Sequence, residues 1–296
     1  MQPLIDVSRF LHANKTYLNP KSMHRRYLLF VITTFVLVSC KKEKYISQVI
    51  PPPDPVIPTV FLKDVVIPRL PSPYYHFEYN ATGKVSFVSF ASDFTRYDVI
   101  YNGDRISEMK NNILVNKDRL QYSYDNAGKV GTIEYADSTG LVYTRLNLSY
   151  DGKKLIKLDR ERKSGGGFIV DRTLTMSYYP DDNLQELSYH YLPFNGQPEA
   201  IYADRFEQYD NKINVDGFGL LHSEFFDHLI LLPGVQLQKN NPGKESRVGN
   251  AENYTVNYTY TYNDKNLPMT KKGNLILLTG NNAGQQFETN SVFSYY

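Results

Sequence analysis

One recurring phrase restricts the fold of this chain more than any other feature of its sequence. Its clearest copy is "LQYSYDNAGKVGTIEY" at residues 120–135. Alternate residues of a strand share one face, so Tyr122 and Tyr124 are predicted to lie together on a β-strand. The Asp-Asn-Ala-Gly stretch at 125–128 is typical of a tight turn. The phrase therefore predicts a β-hairpin.

Similar phrases follow one another along most of the chain. Their anchor tyrosines are Tyr79, Tyr101, Tyr124, Tyr150, Tyr179, Tyr209 and Tyr262, at intervals of 22, 23, 26, 29, 30 and 53 residues. The chain has 25 Tyr and 16 Phe, which favours strand over helix. The pattern predicts an all-β fold: an antiparallel meander of repeated β-hairpins that forms one elongated, twisted or rolled sheet.

The hairpin at 120–135 also yields a register. A type I turn closed by a glycine bulge pairs Tyr124 with Val130 and places Asp125 opposite Lys129. Val130 and Ile133 are then expected on opposite faces, so that both faces of the sheet meet apolar groups. The copies with "YYPDDNL" and "YNDKNLPM" lack the glycine, which leaves their register open.

One segment near the end of the series has a different pattern. The residues Leu221, Phe225, His228, Leu229 and Leu232 recur at helical spacing, and Pro233-Gly234 ends the run. The sequence predicts one short helix near 220–232, packed against an open end or face of the sheet.

The first 40 residues are predicted to contain an export signal. His24, Arg25 and Arg26 precede an apolar run of twelve residues, which suits a signal peptide better than a membrane span. The run ends in Leu37-Val38-Ser39-Cys40, which resembles the lipobox of bacterial lipoproteins. The resemblance implies lipid attachment at Cys40 and cleavage after Ser39. An ordinary short membrane anchor with an incidental cysteine is the alternative.

The chain divides into four expected segments. Residues 1–22 are interpreted as an upstream extension from a wrongly chosen start, with Met23 as the true initiator; a start at Met1 is the alternative. Residues 23–39 form the lipoprotein signal peptide. Residues 40–60 are rich in proline and are predicted to act as a semi-rigid tether. Residues 61–296 form the hairpin-repeat domain.

The repeat phrase resembles a known family pattern. Tyr-x-Tyr-Asp-x-x-Gly-Lys-Val is similar to tyrosine–aspartate (YD, or Rhs-like) repeats. The later "EQYDNKINV", "KNNPGKE" and "YTYTYNDKNLPMTKK" resemble a group of uncharacterised Bacteroidetes lipoproteins. The similarity covers about residues 74 to 296. It implies an antiparallel hairpin fold and a cell-envelope location, as an outer-membrane lipoprotein on the periplasmic or the surface side, and it supplies no catalytic residues.

Charge argues against one class of partner. The chain has 33 Lys and Arg and 31 Asp and Glu; residues 1–39 hold five and one of these, which leaves 28 and 30. A nearly neutral domain lacks the basic surface of a nucleic-acid binder.

Catalytic and metal signatures are weak throughout. His222, Glu224, Asp227 and His228 lack the His-Glu-x-x-His order of zinc proteases, so a helix surface is favoured over a metal site. Asp181–Asn183 and Asn263–Asn266 could suggest calcium, but turn chemistry explains them better. Asp159 and Glu161 are a carboxylate pair available for sugar hydrolysis, with nothing to fix their separation. We predict no metal, no cofactor and no catalytic residues.

The tyrosines leave two functional hypotheses. Cross-strand rings can simply hold hairpins together, and the regular anchor positions favour this. Tyr189, Tyr191 and Tyr202 lie outside the anchor positions and are better candidates to contact a ligand. The first hypothesis is a non-catalytic structural or binding module for a glycan or protein partner, held at the membrane through Cys40. The rival is a hydrolase of envelope or dietary polysaccharide.

Overall fold

The computed structural model describes residues 60–112, 117–194, 196–215, 220–221 and 230–296. The expectations for Cys40, the signal peptide and nearly all of the tether lie outside these residues. The strands are β1 (Leu62–Val66), β2 (Tyr75–Tyr79), β3 (Val85–Phe90), β4 (Thr95–Asn102), β5 (Arg105–Asn111), β6 (Arg119–Tyr124), β7 (Val130–Ala136), β8 (Val142–Asp151), β9 (Lys154–Ser164), β10 (Gly167–Tyr178), β11 (Leu184–Tyr191), β12 (Ala200–Glu207), β13 (Leu220–Leu221), β14 (Ile230–Leu231), β15 (Lys244–Gly249), β16 (Tyr254–Tyr262), β17 (Pro268–Leu277) and β18 (Gln286–Tyr295).

The hairpins form a closed barrel. Strands β1 to β12 pair antiparallel with their chain neighbours, β12 pairs with β15, and β18 pairs with β1. The expected all-β meander of hairpins is confirmed, but the expectation of an open elongated or rolled sheet is wrong. Val65 pairs with Phe293, which joins the first strand to the last. This closure pairs the backbone N–H and C=O groups that the two edge strands of an open sheet would expose.

An extra residue on the returning strand β7 changes which face of the sheet its side chains take. Tyr124 pairs with Val130 as predicted, but the register then shifts by one residue at Gly131. The shift reverses the side-chain alternation, so Val130 and Ile133 both face the barrel interior and are only 2% and 0% exposed. The prediction that they lie on opposite faces is therefore wrong.

The same bulge recurs in successive hairpins and curves the sheet. Register shifts occur next to Tyr79, Tyr101, Tyr150, Tyr178 and Tyr262. A β-bulge bends its strand and increases the local twist. Repeated bulges of this kind suit the curvature that a closed barrel requires.

Tyrosine hydroxyl groups join most of the hairpins to the strands before them, although the anchor Tyr262 donates to the Asp210 carboxylate and not to a carbonyl. Tyr124 donates to the Ile106 carbonyl at 2.8 Å, and Tyr150 donates to the Val130 carbonyl at 2.9 Å. Similar bonds to backbone carbonyls are made by Tyr79 to Leu62, Tyr101 to Val85, Tyr178 to Leu155, Tyr209 to Leu184 and Tyr295 to Pro268. Tyr178 therefore takes the position predicted for Tyr179.

A cation completes the contact between hairpins. Lys129 immediately precedes Val130, and its Nζ lies 5.1 Å from the centre of the Tyr150 ring. Equivalent contacts place Lys84 over Tyr101, Arg105 over Tyr124 and Lys154 over Tyr178. The tyrosine, the cation and the aliphatic residue of the phrase thus act together as a structural device that joins neighbouring hairpins.

The turns explain the variation between copies. The Asp125 amide donates to the Lys129 carbonyl at 2.8 Å, as predicted, and Gly128 has a φ of 80°. In the copies without glycine, Asp182 and Asn266 take this left-handed position with φ of 71° and 60°. Asp and Asn are the residues that tolerate this conformation best after glycine.

Apolar side chains fill much of the barrel interior. Those no more than 1% exposed on β3 to β9 are Val88, Tyr97, Ile106, Met109, Leu120, Ile133, Ala136, Leu146, Leu155 and Leu158. The connection between β12 and β15 contributes Val215, Ile230, Leu231, Leu232 and Val235 to the same core. Tyr122 on β6 is within hydrogen-bonding reach of the Leu231 backbone, so this connection packs inside the barrel.

The prediction of a helix near 220–232 is wrong for those of its residues that the structure describes. Leu220 pairs with Leu231, and Leu221 with Ile230, as the short strands β13 and β14. Residues 222–229 lie outside the described ranges, and those ranges contain no helix. A short apolar run reads equally well as helix or buried strand by periodicity alone, which explains the error.

Asparagines fix this internal connection to the turn end of the barrel. The Asn240 amide donates to Asn183 Oδ1 at 2.8 Å, and Asn240 Nδ2 donates to the Lys212 carbonyl at 2.8 Å. The Asn241 amide donates to Asp210 Oδ1 at 3.1 Å. The "KNNP" block therefore closes the end that carries the tyrosine turns.

The outer face of the barrel carries cross-strand ion pairs, with apolar side chains such as Ile156 and Ile201 among them. Examples of these pairs are Arg145 with Glu134 at 2.7 Å, Arg205 with Glu186 at 2.8 Å and Lys244 with Glu207 at 2.8 Å. Transmembrane barrels show the reverse distribution, with an apolar outer band and a polar interior.

Candidate functional site

A cavity of about 780 Å³ lies at the end of the barrel opposite the tyrosine turns. It is formed by the later part of β9, the first part of β10, the ends of β11, β12, β15 and β16, and the loops between them. The lining side chains with charge or rings are Arg160, Arg162, Asp171, Arg172, Tyr191, Phe194, Tyr202, Arg247, Glu252 and Tyr254. We call it the arginine–tyrosine cavity.

A second kind of bulge builds the innermost part of this cavity. Val170 pairs with Glu161 and Arg172 with Arg160, so Asp171 is an extra residue in β10. A bulge can re-aim a side chain, and here Asp171 is buried at 4% exposure beside Arg160 at 3%. Arg160 Nε donates to Asp171 Oδ1 at 2.9 Å and its Nη2 donates to Oδ2. The result is a buried bidentate ion pair.

Two further arginines surround the same carboxylate. Arg162 Nε lies 3.4 Å from Asp171 Oδ2, and Arg172 Nε lies 4.0 Å from it. Burial, together with the charge of Arg160, lowers the pKa of Arg172. Among the described residues, three guanidinium groups therefore gather around the Asp171 carboxylate.

A second buried ion pair stands beside the first. Arg247 Nε donates to Asp204 Oδ1 at 2.7 Å, and Nη2 donates to Oδ2 at 2.8 Å. Burial raises the pKa of Asp204, and the hydrogen bonds from Arg247 offset part of that rise. The Arg247 guanidinium also lies 4.4 Å from the Tyr202 ring centre and 4.9 Å from that of Tyr254.

The three tyrosines singled out in the sequence meet at this cavity. Tyr189 stacks on Tyr202 with ring centres 4.7 Å apart, and Tyr191 stacks on Tyr202 at 5.9 Å. Tyr191 and Tyr202 line the cavity, whereas Tyr189 is buried behind them. Arg172 lies 4.9 Å from the Tyr191 ring centre. The rings and guanidinium groups form one layered wall.

Sequence reasoning missed the four arginines. One signal was present, since Leu158, Arg160 and Arg162 alternate along β9 and therefore share its inward face. An arginine in place of an inward apolar residue marks a polar patch inside the barrel. Arg247 lies on β15 and gives no comparable local signal.

The other chemical candidates do not meet at the cavity. Asp181–Asn183 and Asn263–Asn266 lie in hairpin turns at the opposite end. On β9, Asp159 accepts from Thr173 and Glu161 lies 3.5 Å from Arg145, both on the outer face. His222, Glu224, Asp227 and His228 lie outside the described residues. Across the described ranges, no group of three His, Cys, Asp or Glu side chains could hold a metal ion.

Two solved structures are similar to this chain in fold. A porin-like protein from Bacteroides uniformis matches with a TM-score of 0.52 and 13% identity, over 75% of this chain and 89% of that one. A porin-like protein from Bacteroides vulgatus matches with a TM-score of 0.51 and 14% identity, over 80% and 99% of the two chains. At these identities the likeness concerns the fold alone.

A third match has a TM-score too low to show a shared fold. TcdB2-TccC3 without its hypervariable C-terminal region matches with a TM-score of 0.29 and 14% identity, over 69% of this chain and 12% of that one. No family model and no curated protein sequence matches this chain. Within the described ranges, no helix is long and apolar enough to cross a membrane.

Proposed function

We propose that this protein is a cell-envelope lipoprotein, anchored through Cys40, whose barrel is a non-catalytic binding module for a glycan. The observation that carries the binding role is the arginine–tyrosine cavity. Its polar groups and rings face one space, at the barrel end that is free of the repeated tyrosine turns.

The size of the cavity favours a small ligand over a protein partner. Ligand sites commonly have volumes of about 300 to 1,000 Å³, and 780 Å³ lies within that range. Protein interfaces are larger and flatter surfaces, of about 800 Å² on each partner. A ligand of one to a few sugar rings fits the space and its aromatic wall.

The outer surface supports attachment by lipid. Several acyl chains on one residue would provide stable anchoring, because each buried methylene contributes about 0.8 kcal/mol. The ion pairs of Arg145 and Arg205 lie on the outward face, where a lipid-spanning barrel would carry apolar side chains. A lipid anchor requires no such apolar band. The outer membrane is the proposed location, on either its periplasmic or its surface side.

The buried carboxylates support binding rather than hydrolysis. A glycosidase uses one carboxyl as an acid and another as a nucleophile or base, both facing the substrate. Asp171 and Asp204 are each held in two hydrogen bonds by an arginine. This engagement suits a positioning role for the arginines, and the polysaccharide hydrolase has no comparable observation in its favour.

The anchor is tested by substitution of Cys40. Cys40→Ser should move the protein from the membrane fraction to the soluble envelope fraction and abolish labelling by palmitate. Ser47→Ala is a matched control in the same segment and should stay with the membrane. If labelled palmitate still entered Cys40→Ser, the lipid anchor would be disproved.

The binding role is tested on a glycan array with the full chain. We expect binding to at least one glycan class, with no release of product on long incubation. Turnover that disappears with Asp171→Asn or Asp204→Asn would instead establish the hydrolase.

A further inference from the structure

A second pocket, of about 430 Å³, lies at the turn end of the barrel, where the first and last strands meet. Its lining side chains with a ring or a charge are Phe61, Glu78, Tyr79 and Tyr296. The Tyr296 amide donates to the Phe61 carbonyl at 3.1 Å, next to the pairing of β1 with β18. We call this space the seam pocket. Its volume is within the range of about 300 to 1,000 Å³ that is common for small-molecule sites.

The seam pocket lies where the cation of the repeat is replaced by a ring. In four repeats, a Lys or Arg directly precedes the residue whose carbonyl accepts from the next tyrosine, and it lies over the ring of that tyrosine. At the seam, the carbonyl that accepts from Tyr79 belongs to Leu62, and the residue before Leu62 is Phe61. Phe61 therefore takes the position of the cation, and its ring centre lies 4.9 Å from that of Tyr79.

The three rings of the pocket stand at nearly right angles to one another. The interplanar angle is 81° between Phe61 and Tyr79, and 88° between Tyr79 and Tyr296, whose ring centres are 6.0 Å apart. A Cβ atom on Gly83 would lie 3.2 Å from the Phe61 ring, so the glycine of the turn admits that ring. Perpendicular rings form the walls of a box, whereas a sugar ring stacks on a flat aromatic surface.

The charge of the seam pocket favours a cation. The faces of aromatic rings attract cations, and the Tyr296 ring already has Lys63 Nζ 5.4 Å from its centre, outside the pocket lining. Glu78 adds a carboxylate to the lining, with His76 Nε2 3.5 Å away on the same strand. The Glu78 side chain is 57% exposed, so a ligand can reach it.

The tyrosine hydroxyl groups favour one kind of cation. Tyr79 donates to the Leu62 carbonyl at 2.9 Å, and Tyr296 donates to the Phe77 carbonyl at 3.0 Å. Both hydroxyl groups are thus engaged with the backbone. A primary ammonium has three N–H donors that each need an acceptor, whereas a quaternary ammonium has none and presents methyl groups to the ring faces.

We propose that the seam pocket binds a quaternary ammonium group, such as the trimethylammonium of choline, between Phe61, Tyr79 and Tyr296 and beside Glu78. The site is separate from the arginine–tyrosine cavity at the other end of the barrel. Neither the glycan-binding function nor this inference depends on the other.

The test is titration calorimetry of the full chain with choline and with its uncharged isostere dimethylbutanol, in which carbon replaces the nitrogen. We expect choline to bind at least about 10-fold more tightly. Tyr296→Leu and Glu78→Gln should each weaken choline binding about 3- to 30-fold. Phe94→Leu is the matched control, because it removes a 73% exposed ring between β3 and β4, and it should bind choline as the wild type does.

A further variant restores the cation of the repeat. Phe61→Lys places an ammonium group over Tyr79, as Lys84 does over Tyr101, and should fold and abolish choline binding. Unchanged choline binding in both Phe61→Lys and Tyr296→Leu, with native circular dichroism, would overturn the site.

The ligands separate the remaining outcomes. Equal binding of choline and dimethylbutanol would overturn the recognition of charge, and tighter binding of butylammonium than of choline would overturn the quaternary class. Glycerophosphocholine distinguishes two sources of the same group: tighter binding than choline would support a lipid headgroup, and weaker binding would support a free cation. If neither bound, the inference would fail, while binding on the glycan array would still stand.

Discussion

The two ends of the barrel are built from the same strands but by different rules. At the turn end, four repeats use a tyrosine hydroxyl, a cation and a backbone carbonyl in the same way, as in Tyr124 with Ile106 and Tyr150 with Val130. At the opposite end, inward positions of β9, β10 and β15 carry Arg160, Arg172 and Arg247. The turn end repeats one kind of contact from hairpin to hairpin. The opposite end has its distinctive arginines on a few strands only.

The difference indicates which end is constrained by folding alone. A buried ion pair often contributes little net stability compared with apolar residues of similar size, because both charges lose their hydration. The apolar interior around Leu146 and Leu158 shows that this barrel can fill inward positions with leucine. The arginines of the cavity therefore suit the binding role proposed for this end of the barrel.

The sharpest test of this comparison removes the buried carboxylate. Asp171→Ala removes the carboxylate that accepts two hydrogen bonds from Arg160, which is only 3% exposed. We expect a loss of about 3–5 kcal/mol in the free energy of unfolding, measured by urea denaturation. The matched control is Glu186→Ala, which removes an exposed pair with Arg205 and should cost no more than about 1 kcal/mol. Equal losses in the two variants would show that the cavity end is not electrostatically distinct.

Local patterns in the sequence contained the hairpins but not their assembly. The pairing of Tyr124 with Val130 follows from strand alternation and turn chemistry within one phrase. Closure depends on the pairing of Val65 with Phe293, two residues at opposite ends of the domain with no distinguishing local signal. The bulge at Gly131 was equally hidden, because an extra residue changes the register without changing composition.

The candidate site was predictable only in part for the same reason. Tyr191 and Tyr202 were recognised because they stand outside the repeated positions. Asp171 faces inward only because β10 has an extra residue there, and Arg247 comes from a strand far along the chain. A site assembled from three separated segments needs the tertiary fold to become visible.

A second test addresses the turn end through its backbone. Gly128 has a φ of 80°, so Gly128→Val forces a β-branched residue into a left-handed conformation. The new Cβ would also lie 2.9 Å from Arg105 Nη2, the movable end of a flexible side chain, so most of the cost is in the backbone. We expect a loss of about 1–3 kcal/mol in thermal or urea unfolding.

The control lies at the other end of the barrel. Gly166 has open space around its Cα and no left-handed φ, so Gly166→Val should change stability little. If Gly128→Val were as stable as Gly166→Val, the left-handed turn would not be a requirement of the repeat.

The smallest expected loss of stability comes from removing one tyrosine hydroxyl group of the repeat. Tyr150→Phe removes the hydrogen bond to the Val130 carbonyl and keeps the ring, which should cost about 1 kcal/mol at pH 8. Tyr101→Phe, which loses the same bond to Val85, should match it. Tyr191→Phe at the cavity end loses a contact to another hydroxyl at 3.2 Å and should cost less.

The Tyr150 hydroxyl should also affect how the free energy of unfolding depends on pH. Burial, followed by the charge of Asp125, raises the pKa of Tyr150 to about 12 in the folded chain, from an ordinary value of 10.0. Between these values the unfolded chain loses the proton while the folded chain keeps it, so stability is complete below pH 10 and falls as pH rises toward 12. Tyr150→Phe removes this contribution, and its unfolding free energy should fall less steeply over that interval. An identical alkaline slope in wild type and variant would show that the Tyr150 hydroxyl is not buried in the contact between hairpins.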